Sequence, residues 1–285
     1  MAVIPGLPYG DAVMDSPTEQ VPLDEMSLVI LAGGKGLRLR EETERIPKPL
    51  VGIGEYPMLW HIMKLYRHYG LRHFIVCLGY KGWEIKEYFL RYREHVGDFT
   101  LGGSADGRPH FHDGSLEENW EVTLAETGLD TATGARLRAV EKYVRGDTFM
   151  CTYGDGLGAV DIGKLLEFHR EQGRIGTVTG VRPRSRYGEM QVDGTRATEF
   201  NEKPTLTEGF VNGGFFVFQR EFFGWLNDDP GLFFEREPMQ KLARAGELAV
   251  FPHDGYWLGM DTYRDFSELN DLWAGGEAPW KVWSG

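Results

Sequence analysis

Hydrophobic residues in this chain come in short unbroken runs, separated by stretches in which they recur every three or four positions. Leu28-Val29-Ile30-Leu31 is the first run, and it ends at Gly33 and Gly34. That is the pattern of a buried parallel strand feeding a glycine-rich loop. Behind Pro57, the residues Met58, Leu59, Ile62, Leu65, Tyr66 and Tyr69 fall on one helical face, and Gly70 closes the segment as a helix C-terminal glycine should. The run from Phe74 to Leu78 and the periodic set Trp83, Ile85, Tyr88 and Phe89 repeat the alternation, so the opening predicts βαβα.

The stretch 97–127 breaks that rhythm. Gly102 and Gly103, a turn signal at Asp113-Gly114 and the alternation Trp120, Val122, Leu124 predict a β-rich insertion. A helix near Arg136 to Tyr143, a strand Thr148 to Tyr153, a helix Ile162 to Arg170 and a strand Thr177 to Val181 then restore the alternation. A strand at Phe215 to Phe218 and helices near Glu235 to Ala245 and Tyr263 to Trp273 complete it. The expected fold class is α/β, with a mostly parallel mixed sheet flanked by helices. Residues 1–26 carry Pro5, Pro8, Pro17 and Pro22 with few periodic apolar positions, and read as a leader or surface arm. No repeat and no Pro/Gly-rich linker cuts 27–285, which reads as a single domain.

Composition narrows the function. The 285 residues are 41% apolar and 26% charged, enough for an ordinary core without staples. The longest apolar runs fall far short of the roughly 20 residues of a membrane span. With 31 Lys+Arg against 43 Asp+Glu, a net charge of −12 disfavours nucleic acid and anionic lipid as partners. Cys77 and Cys151 each sit inside an apolar run and read as buried, reduced thiols, which makes the cytoplasm the expected compartment.

In this acidic chain, basic residues gather around one loop. Leu31-Ala32-Gly33-Gly34-Lys35-Gly36-Leu37-Arg38-Leu39 follows the first strand, and Pro47-Lys48-Pro49 lies a short way beyond. Three glycines let backbone N–H groups approach an anion, while Lys35, Arg38 and Lys48 offer positive charge to phosphate oxygens. The spacing matches neither the Walker loop nor the dinucleotide fingerprint, and a plain glycine turn with solvated basic residues is an equal alternative for the glycines alone. Lys48 favours the phosphate reading, because a lysine between two prolines sits on stiff, extended backbone that aims its ammonium.

Tyr153-Gly154-Asp155-Gly156 ends a predicted parallel strand, where open α/β sheets bind ligands and a carboxylate can hold Mg²⁺ against a polyphosphate. A turn aspartate is the alternative. Met260-Asp261-Thr262 precedes a predicted helix, so Asp261 reads equally as a metal carboxylate or as a helix cap. Glu202-Lys203-Pro204 and Asn212-Gly213-Gly214 place polar groups on rigid or permissive backbone, as fixing a sugar phosphate requires. His110-Phe111-His112 has no third ligand at a zinc-like spacing and reads as a surface hairpin. Trp280 and Trp283 read as a C-terminal segment tied down by burial.

The order of these motifs, together with Trp60-His61-Ile62-Met63-Lys64, Cys77-Leu78-Gly79-Tyr80-Lys81-Gly82 and the closing Ala278-Pro279-Trp280-Lys281, resembles the sugar-1-phosphate nucleotidyltransferases from about Leu28 to Trp283. Within them it is most similar to the branch that uses CTP. The resemblance implies a Rossmann-like sheet of the GT-A type, with Mg²⁺ as cofactor and CTP and a sugar 1-phosphate, first of all α-D-glucose 1-phosphate, as substrates. CDP-sugar and pyrophosphate would be the products, formed by direct attack of the sugar phosphate on the α-phosphate. That nucleophile is already an anion, which fits the absence of any convincing nucleophile triad. Self-association as a trimer or hexamer, using 97–127, is also implied.

By the same resemblance, Leu31, Ala32, Gly33, Gly34, Gly36, Leu37 and Arg38 surround the nucleoside triphosphate, with Gly79, Tyr80, Arg136 and Gly154 on the same side. Lys48 would act on the transferred phosphates, Asp155 and Asp261 on Mg²⁺, and Lys203 on the sugar phosphate, leaving Arg38, Lys48 and Lys203 as the catalytic cations. Gly188, Glu202, Asn212 and Gly213 would face the sugar. One position departs from the family. Thr or Ser usually precedes the loop arginine, and Leu37 forfeits a hydrogen bond worth roughly 0.5–1.5 kcal/mol. Uridylyl or thymidylyl transfer to another sugar 1-phosphate stays open. So does a degenerate nucleotide-sugar-binding subunit, motivated by Leu37, and a glycosyltransferase of related architecture, which gives no reason for Pro47-Lys48-Pro49.

Overall fold

The computed structural model describes residues 22–36, 46–102, 108–112, 119–182, 189–193, 196–201 and 209–284. The predicted leader lies outside these as far as residue 21. Leu23–Glu25 forms a short 3-10 turn just before the first strand, and the fully buried Met26 belongs to the core.

Seven strands form the main sheet: β1 (Ser27–Leu31), β2 (His73–Leu78), β3 (Glu121–Glu126), β4 (Thr148–Tyr153), β5 (Gly176–Val181), β6 (Val211–Gln219) and β7 (Leu248–His253). Their order is β7-β5-β6-β4-β1-β2-β3, and only β6 runs antiparallel to its neighbours. This is the Rossmann-like mixed sheet expected of the sequence. β1 is buried along its whole length because both sheet faces are covered: Leu28 and Ile30 enter one core cluster, Val29 and Leu31 the other.

Helices α1 (Met58–His68), α2 (Gly82–Leu90), α3 (Thr133–Ala139), α4 (Ile162–Gln172), α5 (Glu237–Arg244) and α6 (Tyr263–Ala274) supply that cover. α1 packs Leu59, Ile62 and Leu65 with Leu165 of α4 and Leu269 of α6 on one face, while Leu137 of α3 and Leu242 of α5 lie on the other. Pro57 stands at the N-cap of α1, and Gly70 takes φ +108 just past its end, as the apolar periodicity predicted. Among the described residues, no helix is long and apolar enough to cross a membrane.

The predicted insertion 97–127 is divided. Its alternating segment is β3, the parallel edge strand of the main sheet, whose partner is β2. A half-covered edge strand alternates just as a hairpin strand does, so pattern alone could not separate them. The rest is a short hairpin of Phe99–Thr100 with His110–Phe111, and Asp113-Gly114 lies outside the described residues. At the C-terminus, Trp280 is fully buried and donates from Nε1 to Nδ1 of the buried His61 at 3.3 Å, while His61 Nε2 donates to the Ile53 carbonyl at 2.9 Å.

Candidate active site

A cleft of about 640 Å³ opens beyond the C-terminal ends of β1 and β4. One wall is the glycine loop Leu31 to Gly36, and the floor is Lys48, Pro49, Gly154 and Asp155. Neighbouring strand ends carry the loop. Ala32 N–H donates to the Cys77 carbonyl at 3.2 Å, Tyr80 N–H to the Gly33 carbonyl at 3.2 Å, and Gly154 N–H to the Leu31 carbonyl at 3.1 Å. The structure thereby brings together Leu31, Ala32, Gly33, Gly34, Gly36 and Gly154, with Gly79 and Tyr80 behind the loop. Leu37, Arg38, Gly188, Glu202 and Lys203 lie outside the described residues.

Lys48 is a buried cation on the floor of the cleft. Its backbone forms a 3-10 turn over Lys48–Leu50, where an extended segment was expected: Pro47 is extended, and Leu50 N–H closes the turn on the Pro47 carbonyl at 2.8 Å. The ammonium lies 2.7 Å from Asp155 Oδ2 and 3.1 Å from Asp261 Oδ1. Burial works against its charge, but the two carboxylates outweigh burial and hold its pKa above the ordinary lysine value.

Backbone pairing explains why two aspartates so distant in sequence converge. The short strand Gly156–Gly158 pairs antiparallel with Trp257–Gly259, and Met260 N–H donates to the Asp155 carbonyl at 2.8 Å. The capping alternative for Asp261 is answered by its neighbours. Thr262 is the N-cap of α6 and Asp265 closes a capping box with it, so the helix does not need the Asp261 side chain as its cap. Asp155 and Asp261 present oxygens to a single cationic point, which the Lys48 ammonium takes. That donor set fits a hard divalent cation that retains waters and takes further oxygens from substrate phosphates. Among the described residues, no group of three or more His, Cys, Asp and Glu side chains gathers as a self-sufficient metal cage.

Arg136 faces the cleft from α3, and its guanidinium is engaged with the walls. Nη1 donates to the Leu78 carbonyl at 2.8 Å, to Thr127 Oγ1 at 2.7 Å and to the Gly128 carbonyl at 2.7 Å; Nη2 donates to the Gly33 carbonyl at 3.2 Å. It ties the glycine loop, the end of β2 and the loop after β3 to one another. A Cβ on Gly33 would lie 2.3 Å from Nη1, and one on Gly79 2.6 Å from it, so both positions need glycine for packing.

On the adjoining side, Asn212 Nδ2 donates to Tyr153 Oη at 3.0 Å, and Gly214 N–H donates to Asn212 Oδ1 at 2.8 Å. The Gly213 carbonyl accepts from Trp257 Nε1 at 2.7 Å, which couples this strand to the segment bearing Asp261. Sequence reasoning passed over the loop Leu129 to Thr133, which lines the cleft, and Lys35 Nζ reaches across to Asp130 Oδ1 at 2.6 Å. The Thr/Asp-rich run ahead of a helix was its available signal. Glu235, which accepts from Tyr153 Oη, was missed as well and has no local signal.

A cleft at the strand ends, a glycine loop and a lysine between two carboxylates make up the candidate site of this α/β fold. The chain belongs to the family described as nucleotidyl transferase, whose profile matches residues 27–274. It is 44% identical to the glucose-1-phosphate cytidylyltransferase of Salmonella typhi over 259 residues, covering 90% of this chain and 100% of that one. The glucose-1-phosphate cytidylyltransferase of Salmonella typhimurium (strain LT2) matches with the same identity and coverage. The fold is shared with a UDP-glucose pyrophosphorylase solved with UDP-glucose, at TM-score 0.63 and 11% identity, covering 88% of this chain and 99% of that one.

Proposed function

We propose that this protein transfers the cytidylyl group of CTP to α-D-glucose 1-phosphate, giving CDP-glucose and pyrophosphate. The observation that carries the reading is the seating of the Lys48 ammonium between Asp155 and Asp261 at the floor of the cleft. The 44% identity over 90% of the chain favours CTP and glucose 1-phosphate as the pair.

The reaction joins an oxygen of the sugar phosphate to the α-phosphorus of CTP and breaks the bond from that phosphorus to the oxygen bridging to the β-phosphate. The protein's task is to bring two anions into line and to offset the charge that develops. Backbone N–H groups of the glycine loop line the triphosphate. Arg136 keeps that loop in register with the ends of β2 and β3. Lys48, charged throughout the neutral range, offsets negative charge at the reacting phosphates. Asp155 and Asp261 would hold Mg²⁺, which neutralises phosphate oxygens when bound. Arg38 would add charge on the nucleotide side and Lys203 on the sugar phosphate. Gly188, Glu202, Asn212 and Gly213 would bound the sugar.

Incubation with CTP, α-D-glucose 1-phosphate and Mg²⁺ tests this. CDP-glucose and pyrophosphate should form in equal amounts, whereas CMP or CDP without CDP-glucose would refute transfer. Self-association as a trimer or hexamer is part of the same proposal, supported by the exposed Leu90, Phe99 and Leu101 around the Phe99–Phe111 hairpin. Sedimentation as a monomer at micromolar concentration would remove it. The cytoplasm suits the free thiols and the substrates of this reaction.

A further inference from the structure

Glu235 lies between α5 and the preceding loop, and both its oxygens are used. Oε1 accepts from Tyr153 Oη at 2.8 Å and Oε2 accepts from Thr133 Oγ1 at 2.5 Å. Tyr153 ends β4, directly before Gly154 and Asp155, and Thr133 opens α3, also at the cleft. The chain of bonds continues from Tyr153 Oη to Asn212 and on to the Gly214 amide.

Every link in this chain has a fixed direction. The Gly214 N–H can only donate, so Oδ1 of Asn212 must face it and Nδ2 must face Tyr153. Tyr153 Oη therefore accepts from Asn212, and its single proton must go to another acceptor. A carboxylate oxygen at that place supplies the acceptor. Without it, the tyrosine proton would turn toward Asn212 and compete with the amide donor already there.

We propose that Glu235 is a positioning residue for sugar-phosphate recognition: by accepting the Tyr153 proton, it locks the Asn212 amide in one orientation at the sugar side of the cleft. This rests on the reading of Asn212 as a sugar-facing residue. What the geometry requires of position 235 is an acceptor directed at Tyr153, not a negative charge. Glutamine can meet that need, since its carbonyl can face Tyr153 while the Thr133 hydroxyl turns to accept from its amide.

The test compares Glu235→Ala, Glu235→Gln, Tyr153→Phe, Asn212→Ala and the double variant Glu235→Ala/Asn212→Ala, with KM measured separately for CTP and glucose 1-phosphate. Glu235→Ala and Tyr153→Phe should each raise KM for glucose 1-phosphate by about five- to tenfold, the worth of a lost hydrogen bond, and change KM for CTP by less than about twofold. Glu235→Gln should restore most of the loss, and the double variant should be no worse than Asn212→Ala alone. Should Glu235→Ala fold poorly, Tyr153→Phe reports on the same link. The proposal falls if Glu235→Gln is as impaired as Glu235→Ala, if the Glu235 and Asn212 effects add, or if both substrates' KM values rise together. It also falls, together with the sugar-facing reading, if Asn212→Ala leaves KM for glucose 1-phosphate unchanged. A rise with Asn212→Ala but none with Glu235→Ala or Tyr153→Phe would overturn the positioning role alone.

Discussion

Lys48 and Asp155, 107 positions apart in the chain, meet at 2.7 Å on the floor of the cleft. The contact joins the 3-10 turn after the glycine loop to the turn after β4, and Asp261 completes it from the far end of the chain. A lone buried ammonium would favour the neutral amine; two carboxylates reverse that preference and keep the cation where phosphate would arrive. Lys48→Ala should lower turnover by about a hundred- to a thousandfold, with a much smaller effect on sugar-phosphate binding. Steady-state kinetics decide it, and unchanged turnover would end the charge-offset role.

The raised Lys48 pKa also fixes the sign of a pH effect. A lysine held above its ordinary value of 10.5 stays protonated through the neutral and mildly alkaline range. The pH profile of kcat/KM should show no alkaline fall attributable to Lys48 below the usual lysine range. A lysine-dependent limb near pH 8, abolished in Lys48→Arg, would contradict the pairing.

Asp155→Asn and Asp261→Asn should each remove most turnover and raise the Mg²⁺ concentration needed for what remains, because an amide is a poorer ligand for a hard cation than a carboxylate. Circular dichroism should show intact folds. Near-normal rates at the same Mg²⁺ concentration in both variants would remove the metal assignment.

Gly33→Ala would set a methyl group 2.3 Å from Arg136 Nη1, and that guanidinium is pinned by several carbonyls. Displacing it should loosen three loops together, so KM for CTP should rise by about tenfold or more while the melting temperature falls by a few degrees. Gly34→Ala, where no described residue lies within 4 Å of the added Cβ, is the matched control and should hold its stability. Equal melting temperatures for the two variants would contradict the clamp.

Acid should destabilise the fold well before the carboxylates titrate. Burial pulls the pKa of His61 down to about 4, and burial followed by the Arg170 charge does the same for His169. Each is a neutral tautomer with both nitrogens engaged: His61 accepts from Trp280, and His169 accepts from Gln219 Nε2 and donates to Thr177. A depressed histidine pKa gives stability that is full above the unfolded value near 6.5 and is lost as pH falls toward 4. The loss at pH 5 is on the order of 2 kcal/mol for each histidine. Urea unfolding at pH 7 and pH 5 measures it, and equal stabilities would contradict the buried neutral states.

What could be read in advance was local. Periodicity behind Pro57 marked α1, and the apolar runs marked β1, β2, β4 and β5, because each signal lies within a dozen residues. Asp155 stood out through its flanking glycines. Asp261 was ambiguous until Thr262 and Asp265 were seen to cap α6 without it. Trp120 to Leu124 read as part of a β-rich insertion because the identity of a strand's partner is not written in its own alternation. Arg136 read as a charge for phosphate, and only the folded loops supply the carbonyls that engage it. Glu235 was invisible for the same reason: its partners Tyr153 and Thr133 lie 82 and 102 positions away.

The central claim is cytidylyl transfer, and the most direct measurement is pyrophosphate release from a panel of CTP, UTP, dTTP, ATP and GTP with α-D-glucose 1-phosphate and Mg²⁺. The account predicts kcat/KM for CTP at least about a hundredfold above every other triphosphate, a gap of about 2.7 kcal/mol in transition-state binding. Pyrophosphate release at comparable or greater rates with UTP or dTTP, or no release with any of the five, would contradict it.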